Sequence, residues 1–410
     1  MKNLLKKYAH LVIKMGVHLQ PDQLLVINAP LECADFARLL AEEAYTIGAH
    51  DVIVNWKDEK LAKLRYTMGK ESIFSEFPEW RRLFYMDYAQ QGAAFISIYA
   101  EDPEIFKEVA PNRLAMSQRA AGAALIEYRQ RMMNNENAWC VVSIPTIAWA
   151  KKVFPDVPVE TSVKRLWQEI FKVVRIDKAS DPVENWRKHV GFLAKAADFM
   201  NAHRFVSLHY CNSVGTNLTV ELPKGHIWAG GAEYTTKKVL FVANMPTEEV
   251  YSLPKRDGVN GTVVGTKPFS YNGNLIEGFQ LTFKDGVVVD YKADKGQDIL
   301  GQLIKTDEGS CRLGEVALVP YDSPISQSGT LFFNTLFDEN ASCHLALGKA
   351  YPTCLTGSEK MTSIELAAAG VNDSLVHEDF MIGSSDLEII GTTETGRKIT
   401  VFEKGNFVKF

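Results

Sequence analysis

Two of the nine histidines, His344 and His377, lie within a few residues of carboxylates in segments with few lysines or arginines. His377 and Asp379 are two residues apart in the run VHEDF, so in an extended segment both side chains project to the same face. One imidazole and one carboxylate could then approach a single ion. His344 follows Glu339 by five residues, a spacing that does not fix a shared helical face. Either pattern alone fits a solvated loop as well as a metal site.

Two further acidic positions stand out because of the apolar residues beside them. Glu315 lies near the start of the run LGEVALV, a predicted strand in which burial of a carboxylate is costly without a cation. Glu248 and Glu249 come shortly after the predicted strand at residues 240–243. Strand ends can aim acids into a cleft, although a solvated turn would hold such a pair equally well. The concentration of these signals in one half of the chain predicts a shared site.

Carboxylates combined with imidazoles suit divalent ions such as zinc, cobalt and manganese. Four acids and two histidines exceed the ligands of one tetrahedral ion, whereas two ions that share bridging carboxylates would use all of them. Paired ions hold a water as hydroxide and polarise a carbonyl, so the predicted reaction is hydrolysis of an amide. A calcium-binding protein without catalytic activity is an alternative. It leaves the two histidines unexplained, because calcium takes oxygen ligands.

The first half of the chain alternates between helical and strand-like patterns. Strand-like runs at residues 23–28, 51–56, 93–99 and 139–144 follow an opening amphipathic helix and are interspersed with helical stretches. This alternation predicts an N-terminal doubly wound α/β domain with a parallel sheet.

Ligands of such sheets lie beyond the carboxyl ends of the strands, so Asn28 and Asp102 would be contacts in a nucleotide or sugar-nucleotide enzyme. No glycine-rich phosphate loop follows the strands, which disfavours that alternative.

The second half of the chain is predicted to consist mainly of short β-strands after a helical stretch. Residues 161–202 are predicted to be helical, and short β-like runs follow at 204–210, 217–222, 240–243, 277–283, 287–291 and 313–319. Asp285-Gly286 predicts a hairpin turn, and helices are predicted at 296–304 and 330–336. We therefore expect an α/β chain with a scaffold domain at 1–190 and a β-rich α+β metal-binding domain at 191–410.

Composition narrows the classes of function. Apolar residues make up 46% and charged residues 23%, as in an ordinary folded protein. The net charge of −5, without a basic stripe, disfavours nucleic acid as a partner. The sequence has no apolar run that could span a membrane and no signal-peptide pattern at its start. The six cysteines stand far apart, which is typical of reduced thiols. We expect a cytoplasmic protein.

Four segments together resemble the motifs of the thermophilic-aminopeptidase family of metallopeptidases, the aminopeptidase T and aminopeptidase S group. They are NMPTEEVYSLP at 244–254, LGEVALVP at 313–320, LFFNTLFDENASCHLALGKAY at 331–351 and NDSLVHEDFMIGS at 372–384. The resemblance extends over essentially the whole chain. It implies two divalent metal ions (zinc, cobalt or manganese), whose matching ligands are Glu249, Glu315, Glu339, His344, His377 and Asp379.

The resemblance also implies catalytic roles and partners. Glu315 would bridge the ions or act on the attacking water. Tyr351 matches a tyrosine that donates to the developing oxyanion, although without the family a packed aromatic at a turn is the favoured interpretation. The implied activity is removal of N-terminal residues from short peptides, by a homodimer whose active sites open into an enclosed interior. Glu248, Asp373 and Glu378 are candidates for binding the substrate's α-ammonium group.

Overall fold

The computed structural model describes residues 1–271 and 274–410, which form two compact units. The first unit comprises Met1–Lys188, Ala232–Pro246 and Thr330–Leu336. The second comprises His189–Gly231, Thr247–Gly329 and Phe337–Phe410. Neither unit is continuous in sequence.

The elements are numbered in chain order. The helices are α1 (Lys2–Leu11), α2 (Ala34–Thr46), α3 (Glu59–Met68), α4 (Glu79–Gln90), α5 (Pro111–Ala124), α6 (Ile126–Met133), α7 (Ile147–Val153), α8 (Val159–Val173), α9 (Pro182–His203), α10 (Gln297–Ile304), α11 (Pro324–Ser328), α12 (Thr335–Asp338) and α13 (Ser363–Ala368). The strands are β1 (Leu24–Pro30), β2 (Asp51–Lys57), β3 (Ala94–Ile98), β4 (Trp139–Val142), β5 (Phe205–Cys211), β6 (Asn217–Glu221), β7 (Ala229–Gly230), β8 (Glu233–Tyr234), β9 (Leu240–Phe241), β10 (Asn244–Met245), β11 (Val250–Ser252), β12 (Val259–Val264), β13 (Phe269–Tyr271), β14 (Asn274–Ile276), β15 (Gln280–Lys284), β16 (Val287–Lys292), β17 (Leu313–Leu318), β18 (His344–Gly348), β19 (His377–Met381), β20 (Glu388–Thr393), β21 (Lys398–Glu403) and β22 (Asn406–Phe407).

The first unit contains a parallel sheet in the order β10-β4-β3-β1-β2. Nearly every residue of β1 is buried, as expected for an apolar strand inside a parallel sheet. The four strands predicted in this half are confirmed as β1 to β4, with ends that differ by no more than two residues. The fifth strand, β10, comes from a much later part of the chain and was not predicted to join this sheet.

The second unit contains an eight-stranded antiparallel sheet in the order β16-β15-β12-β6-β5-β20-β21-β22. The predicted hairpin joins β15 to β16. Asp285 and Gly286 have φ angles of 49° and 79°, the positive values that a two-residue hairpin turn of type I′ requires.

A five-stranded sheet of the second unit has the order β19-β18-β17-β11-β7, and its strand pairs are antiparallel. Alternate side chains of this sheet, among them Val316, Leu345 and Phe380, belong to one apolar core together with side chains of the eight-stranded sheet. The intervening side chains project to the opposite face. The prediction of a mixed α/β chain, with a parallel sheet followed by antiparallel β structure, is confirmed at this level.

The helix predicted at residues 330–336 is wrong over most of its length. The helix α12 begins only at Thr335. Phe333 has a φ of 54°, which is incompatible with a right-handed helix, and Asn334 Oδ1 accepts the amide N–H of Leu336 as a capping side chain does. Backbone conformation and capping therefore override the apolar pattern.

The helical stretch predicted at 161–202 consists of two helices rather than one. A break between α8 and α9 includes Arg175, whose φ of 56° ends the helical path. The strand predicted at 277–283 begins later, at Gln280.

None of the helices in the described part of the chain has the length and apolar character needed to cross a bilayer. The six cysteines, all of which lie in the described ranges, form no disulfide with one another.

Candidate metal centre

Strand register brings four of the predicted ligands together on one face of the five-stranded sheet. Asp379 on β19 lies opposite Ala346 on β18, which in turn lies opposite Glu315 on β17. His377 is two residues from Asp379, and His344 is two residues from Ala346. Because side chains alternate along a strand, both histidines project from the same face as this row.

Glu249 joins the same face from the leading end of β11. Tyr251 on β11 pairs with Ala317, which is two residues after Glu315, so Glu249 falls on the same side of the sheet. The backbone of β7 comes very close at this point. A Cβ added to Gly230 would lie 2.4 Å from the carbonyl oxygen of Glu249, so only glycine permits the approach.

Glu315 lies at the centre of the cluster and is buried. Its Oε1 is 4.0 Å from Nε2 of His344, and its Oε2 is 3.1 Å from Nε2 of His377. Glu249 Oε2 is 3.4 Å from Nε2 of His344, and Asp379 Oδ1 is 3.5 Å from Nε2 of His377. The donors form two groups of three that share Glu315, and within each group the ligand atoms lie within 4.8 Å of one another.

Backbone carbonyls orient both imidazoles. Nδ1 of His377 is 2.7 Å from the carbonyl oxygen of Lys349, and Nδ1 of His344 is 3.2 Å from that of Ser342. A carbonyl can only accept a hydrogen bond, so Nδ1 carries the proton in each ring. In the neutral tautomer, Nε2 then presents its lone pair to the cluster, as a metal-binding histidine requires.

Burial and mutual repulsion make ionisation of the acids unfavourable. Burial raises the pKa of Glu249 to about 7. The positive charge of His344 opposes this rise, and the negative charges of Glu315 and Asp379 add to it. Burial likewise raises the pKa of Glu315. The pKa of Glu339 is raised well above its usual range by burial and by the neighbouring carboxylates. A cation among these groups would favour their charged forms.

His377 and Asp379 stabilise each other's charged forms. Burial alone would lower the pKa of His377, but hydrogen bonds to Asp379 and Glu315 outweigh it and raise the pKa to about 11. Burial opposes ionisation of Asp379, yet the hydrogen bond from His377 and the charge of His344 hold its pKa below the usual value.

The donor set fits divalent metal ions. Asp379 Oδ1 is buried and, apart from the long 3.5 Å contact with His377 Nε2, has no hydrogen-bond partner among the residues that the structure describes. A buried charged oxygen in this state needs a compensating partner. Carboxylates mixed with imidazole nitrogens suit zinc, cobalt and manganese better than calcium.

Glu339 lies beside the cluster rather than inside either group of three. It begins a 3₁₀ turn, Glu339–Ala341, that comes shortly before β18. Its carboxylate is close enough to Glu249, Asp379 and Glu315 for their charges to raise its pKa. The turn therefore brings a fourth acid to the centre.

Tyr351 follows β18 and lies at the edge of the cluster. Its ring centre is 4.9 Å from that of His377 and 6.1 Å from that of Tyr251. The residue is 39% exposed, so substrate can reach it. Burial of the phenol and the surrounding carboxylates raise its pKa, which keeps the hydroxyl protonated as a donor.

Comparison with known proteins decides the class of this centre. The sequence profile described as thermophilic metalloprotease (M29) matches residues 1–407. The chain belongs to this family. It is similar to aminopeptidase 2 of Geobacillus stearothermophilus, with 49% identity over 98% of this chain and 97% of that protein. It is also similar to aminopeptidase AmpS of Bacillus subtilis (strain 168), with 47% identity over 98% of each protein.

A solved structure supports the same conclusion. The structure of wild-type AmpT from Thermus thermophilus matches with a TM-score of 0.92 and 37% sequence identity, over 100% of both chains. The protein is therefore a metallo-aminopeptidase, a hydrolase of the peptidase class, which confirms the family indicated by the four sequence motifs.

The three acids suggested as partners of the substrate's amino group occupy different environments in this metallo-aminopeptidase. Strand alternation directs Glu378 to the face opposite the predicted ligands of β19. Asp373 is exposed, with Lys349 Nζ 3.5 Å from its carboxylate. Glu248 is buried, and its Oε2 lies 3.7 Å from His189 Nε2.

The residues suggested for a nucleotide site have partners within the first unit. Asn28 Oδ1 accepts hydrogen bonds from Asn55 Nδ2 at 2.9 Å and Tyr85 Oη at 3.1 Å. The backbone N–H of Asp102 lies 3.3 Å from a carboxylate oxygen of Glu59. The membership of the chain in the metalloprotease family argues against the alternative of a nucleotide enzyme.

Sequence reasoning missed Asp307, which anchors the approach to β19. Its Oδ1 accepts N–H groups from Gly309 and Ser310 at 2.8 Å, and its Oδ2 accepts that of Leu375 at 2.6 Å. The hydroxyl of Ser374 donates to Oδ1 at 2.9 Å. The spacing Asp-x-Gly-Ser is typical of an Asx turn and could have indicated the local bonds. The bonds to residues 374 and 375 are not readable from the sequence.

Replacing Asp307 with Asn tests this anchor. Burial would raise the pKa of Asp307, but its hydrogen bonds outweigh it and hold the pKa below the usual value, so the ionised form stabilises the fold. That stabilisation is present above the ordinary aspartate pKa of about 3.9 and is lost as the pH falls through the lower folded-state value. We expect Asp307→Asn to lower the free energy of unfolding at neutral pH by roughly 1–2 kcal/mol. The difference from the unsubstituted protein should shrink at acid pH.

Urea unfolding at several pH values measures this effect. A variant that loses the same stability at pH 3 as at pH 7 would show that the charge of Asp307 does not contribute.

Proposed function

We propose that this metallo-aminopeptidase removes N-terminal amino acids from short peptides and that its centre holds two divalent metal ions. The observation that carries the two-ion proposal is the position of Glu315, whose oxygens face different histidines, Oε1 toward His344 and Oε2 toward His377. A carboxylate shared by two overlapping groups of donors has the arrangement of a bridging ligand. One tetrahedral ion would leave several of these donors unused.

The proposal assigns the ligands to the second unit. They are Glu249, Glu315, Glu339, His344, His377 and Asp379. Glu339 is included because its buried carboxylate lies within the field of the other three acids. Zinc, cobalt and manganese are the ions that this donor set suits. We also propose residues 191–410 as the catalytic domain and residues 1–190 as a scaffold domain.

Divalent ions held by these six residues would lower the pKa of a bound water and polarise the scissile carbonyl. The other steps fall to side chains of this chain. The carboxylate of Glu315, between the two histidines, fixes the spacing of the donor groups and can take a proton from the attacking water. The hydroxyl of Tyr351 donates a hydrogen bond to the substrate's carbonyl oxygen as negative charge develops there.

The surplus of acids gives a physical reason for action at a free N-terminus. Two divalent ions would balance the charge of the four ligand carboxylates, so an acid outside the ligand set, such as Glu248 or Asp373, would attract the positively charged α-ammonium group. A peptide whose amino group is acetylated lacks that charge. Restriction to short peptides follows from the enclosed interior that the family resemblance implies. The proposed location is the cytoplasm, in keeping with six cysteines that form no disulfide with one another.

Replacing Glu315 with Gln should remove activity while preserving the fold. The amide keeps the shape of the side chain but binds metal poorly and cannot take a proton from water. We expect kcat/KM on aminoacyl-nitroanilides to fall by more than roughly a hundredfold, the upper end of the loss when a group merely supports a metal ligand. The metal-free variant should keep a stability close to that of the unsubstituted protein, because the removal of one repelling carboxylate offsets the weakened contact with His377.

Glu378→Gln is the matched control, since it makes the same chemical change on β19 but on the opposite face. It should retain near-normal activity. Normal turnover by Glu315→Gln would remove Glu315 from the mechanism.

Chelation of the native enzyme tests the metal requirement and the substrate class together. Cleavage of peptides of two to ten residues should stop after chelation and return when zinc, cobalt or manganese is added. Matched N-acetylated peptides should be resistant throughout. Elemental analysis of the reactivated enzyme should give two ions per chain.

Each negative result of this experiment identifies the part of the proposed function that is wrong. Full activity after chelation would contradict the metal mechanism, and one ion in the fully active enzyme would contradict the paired centre. Equal cleavage of long and short peptides would contradict the size selection.

A homodimer is part of the proposal. One face of α3 presents Leu61, Leu64 and Met68, which are each more than half exposed and lie at helical spacing. Apolar side chains in such a row are typical of a surface covered by another chain. Light scattering during gel filtration should give twice the mass of one chain. The mass of a single chain at micromolar concentration would contradict the dimer.

A further inference from the structure

The segment that delivers Glu249 to the centre is irregular and buried. Thr247 and Glu248 are 6% and 2% exposed and lie outside any strand. Buried backbone groups without a sheet partner need hydrogen bonds from elsewhere. His189 Nε2 lies 2.7 Å from the carbonyl oxygen of Thr247. The N–H of Glu248 donates to Oδ1 of Asn340 at 2.7 Å.

Asn340 therefore reaches two acid-bearing segments with one side chain. It is fully buried, at 0% exposure, in the 3₁₀ turn that begins with Glu339. Its Oδ1 accepts the N–H next to Glu249, and its Nδ2 is 3.5 Å from Oε1 of Glu339. The same turn leads directly to His344, the first residue of β18.

A neutral amide suits this position for an electrostatic reason. Two carboxylates that bind one centre repel each other, so the segments that carry Glu249 and Glu339 must be held by neighbouring groups. An amide can accept from the backbone of one segment and donate toward the acid of the other. A carboxylate at this place would add a further negative charge, and an aliphatic side chain would leave a buried N–H without a partner.

We propose that Asn340 is a positioning residue that holds Glu249 and Glu339 at metal-binding separation, so that its loss lowers metal affinity beyond any effect on the fold. The inference rests on the proposed function, because it takes both acids as ligands. Groups that orient metal ligands typically contribute a factor of about 10–100 in metal affinity.

The experiment compares Asn340→Ala with Asn137→Ala in the full-length protein. Asn137 is also buried, at 2% exposure, and its Nδ2 donates to the carbonyl oxygens of Ala89 and Ala93 in the first unit at 3.0 and 2.8 Å. Both variants lose buried hydrogen bonds, but only one loses them beside the centre. Cobalt(II) binding to the metal-free proteins is followed by visible absorption, and thermal unfolding of the metal-free forms reports stability.

We expect Asn340→Ala to raise the cobalt dissociation constant by a factor of about ten or more, while Asn137→Ala leaves it within twofold of the unsubstituted protein. Both variants should unfold at a lower temperature. At saturating cobalt, Asn340→Ala should recover most of its kcat, because the acids themselves are intact. If Asn340→Ala fails to fold, Asn340→Ser carries the test, since it keeps a polar group at the buried position but its side chain is one bond too short to make either contact of the amide.

Unchanged cobalt affinity in the folded Asn340 variant, together with reduced stability, would overturn the inference and leave Asn340 a purely structural residue. Glu249→Ala and Glu339→Ala distinguish this outcome from failure of the proposed function. Loss of cobalt binding in those two variants, with normal binding in the Asn340 variant, would reject only the positioning role. Normal binding in all of them would reject the proposed ligands as well.

Discussion

The structure of the second unit depends on holding several carboxylates together on one face of a sheet, largely shielded from water. Glu249, Glu315, Glu339 and Asp379 repel one another at this distance, and burial removes the water that would screen them. The fold can accommodate this repulsion because apolar packing on the opposite face of the sheet holds the strands in place. Val316, Leu345 and Phe380 alternate with the polar positions and enter the apolar core. One alternating pattern thus supplies both the anchor and the chemistry.

Part of this centre could be predicted from local sequence. The two-residue spacing of His377 and Asp379 is sufficient to place them on one face once the segment is a strand, and β19 is one. Glu315 was conspicuous as an acid within an apolar run. Glu249 and Glu339 were different, because their approach depends on β11 pairing with β17 and on a turn before β18. The residues themselves marked both as candidates, but only the family motifs assigned them to the ligand set.

The fold shows the same division between local and distant information. The strands β1 to β4 and the Asp285-Gly286 turn were predictable because each is encoded in a few adjacent residues. The pairing of β10 with β4 was not, since its partners are far apart in sequence and β10 is only two residues long. The error at 330–336 arose because an apolar pattern does not reveal a residue such as Phe333 with a positive φ.

Both imidazoles donate their Nδ1–H bonds to main-chain carbonyl oxygens, and this limits how mutation can alter the centre. The acceptors at Lys349 and Ser342 belong to the backbone, so no substitution at either position deletes them. Only a rerouting of the polypeptide could do so. A neutral carbonyl makes the imidazole a less basic ligand than a carboxylate acceptor would. A metal ion bound to that imidazole therefore stays more electrophilic. The Lewis acidity of an ion bound here therefore depends on the path of the backbone, and substitutions at residues 342 and 349 would leave these acceptors in place.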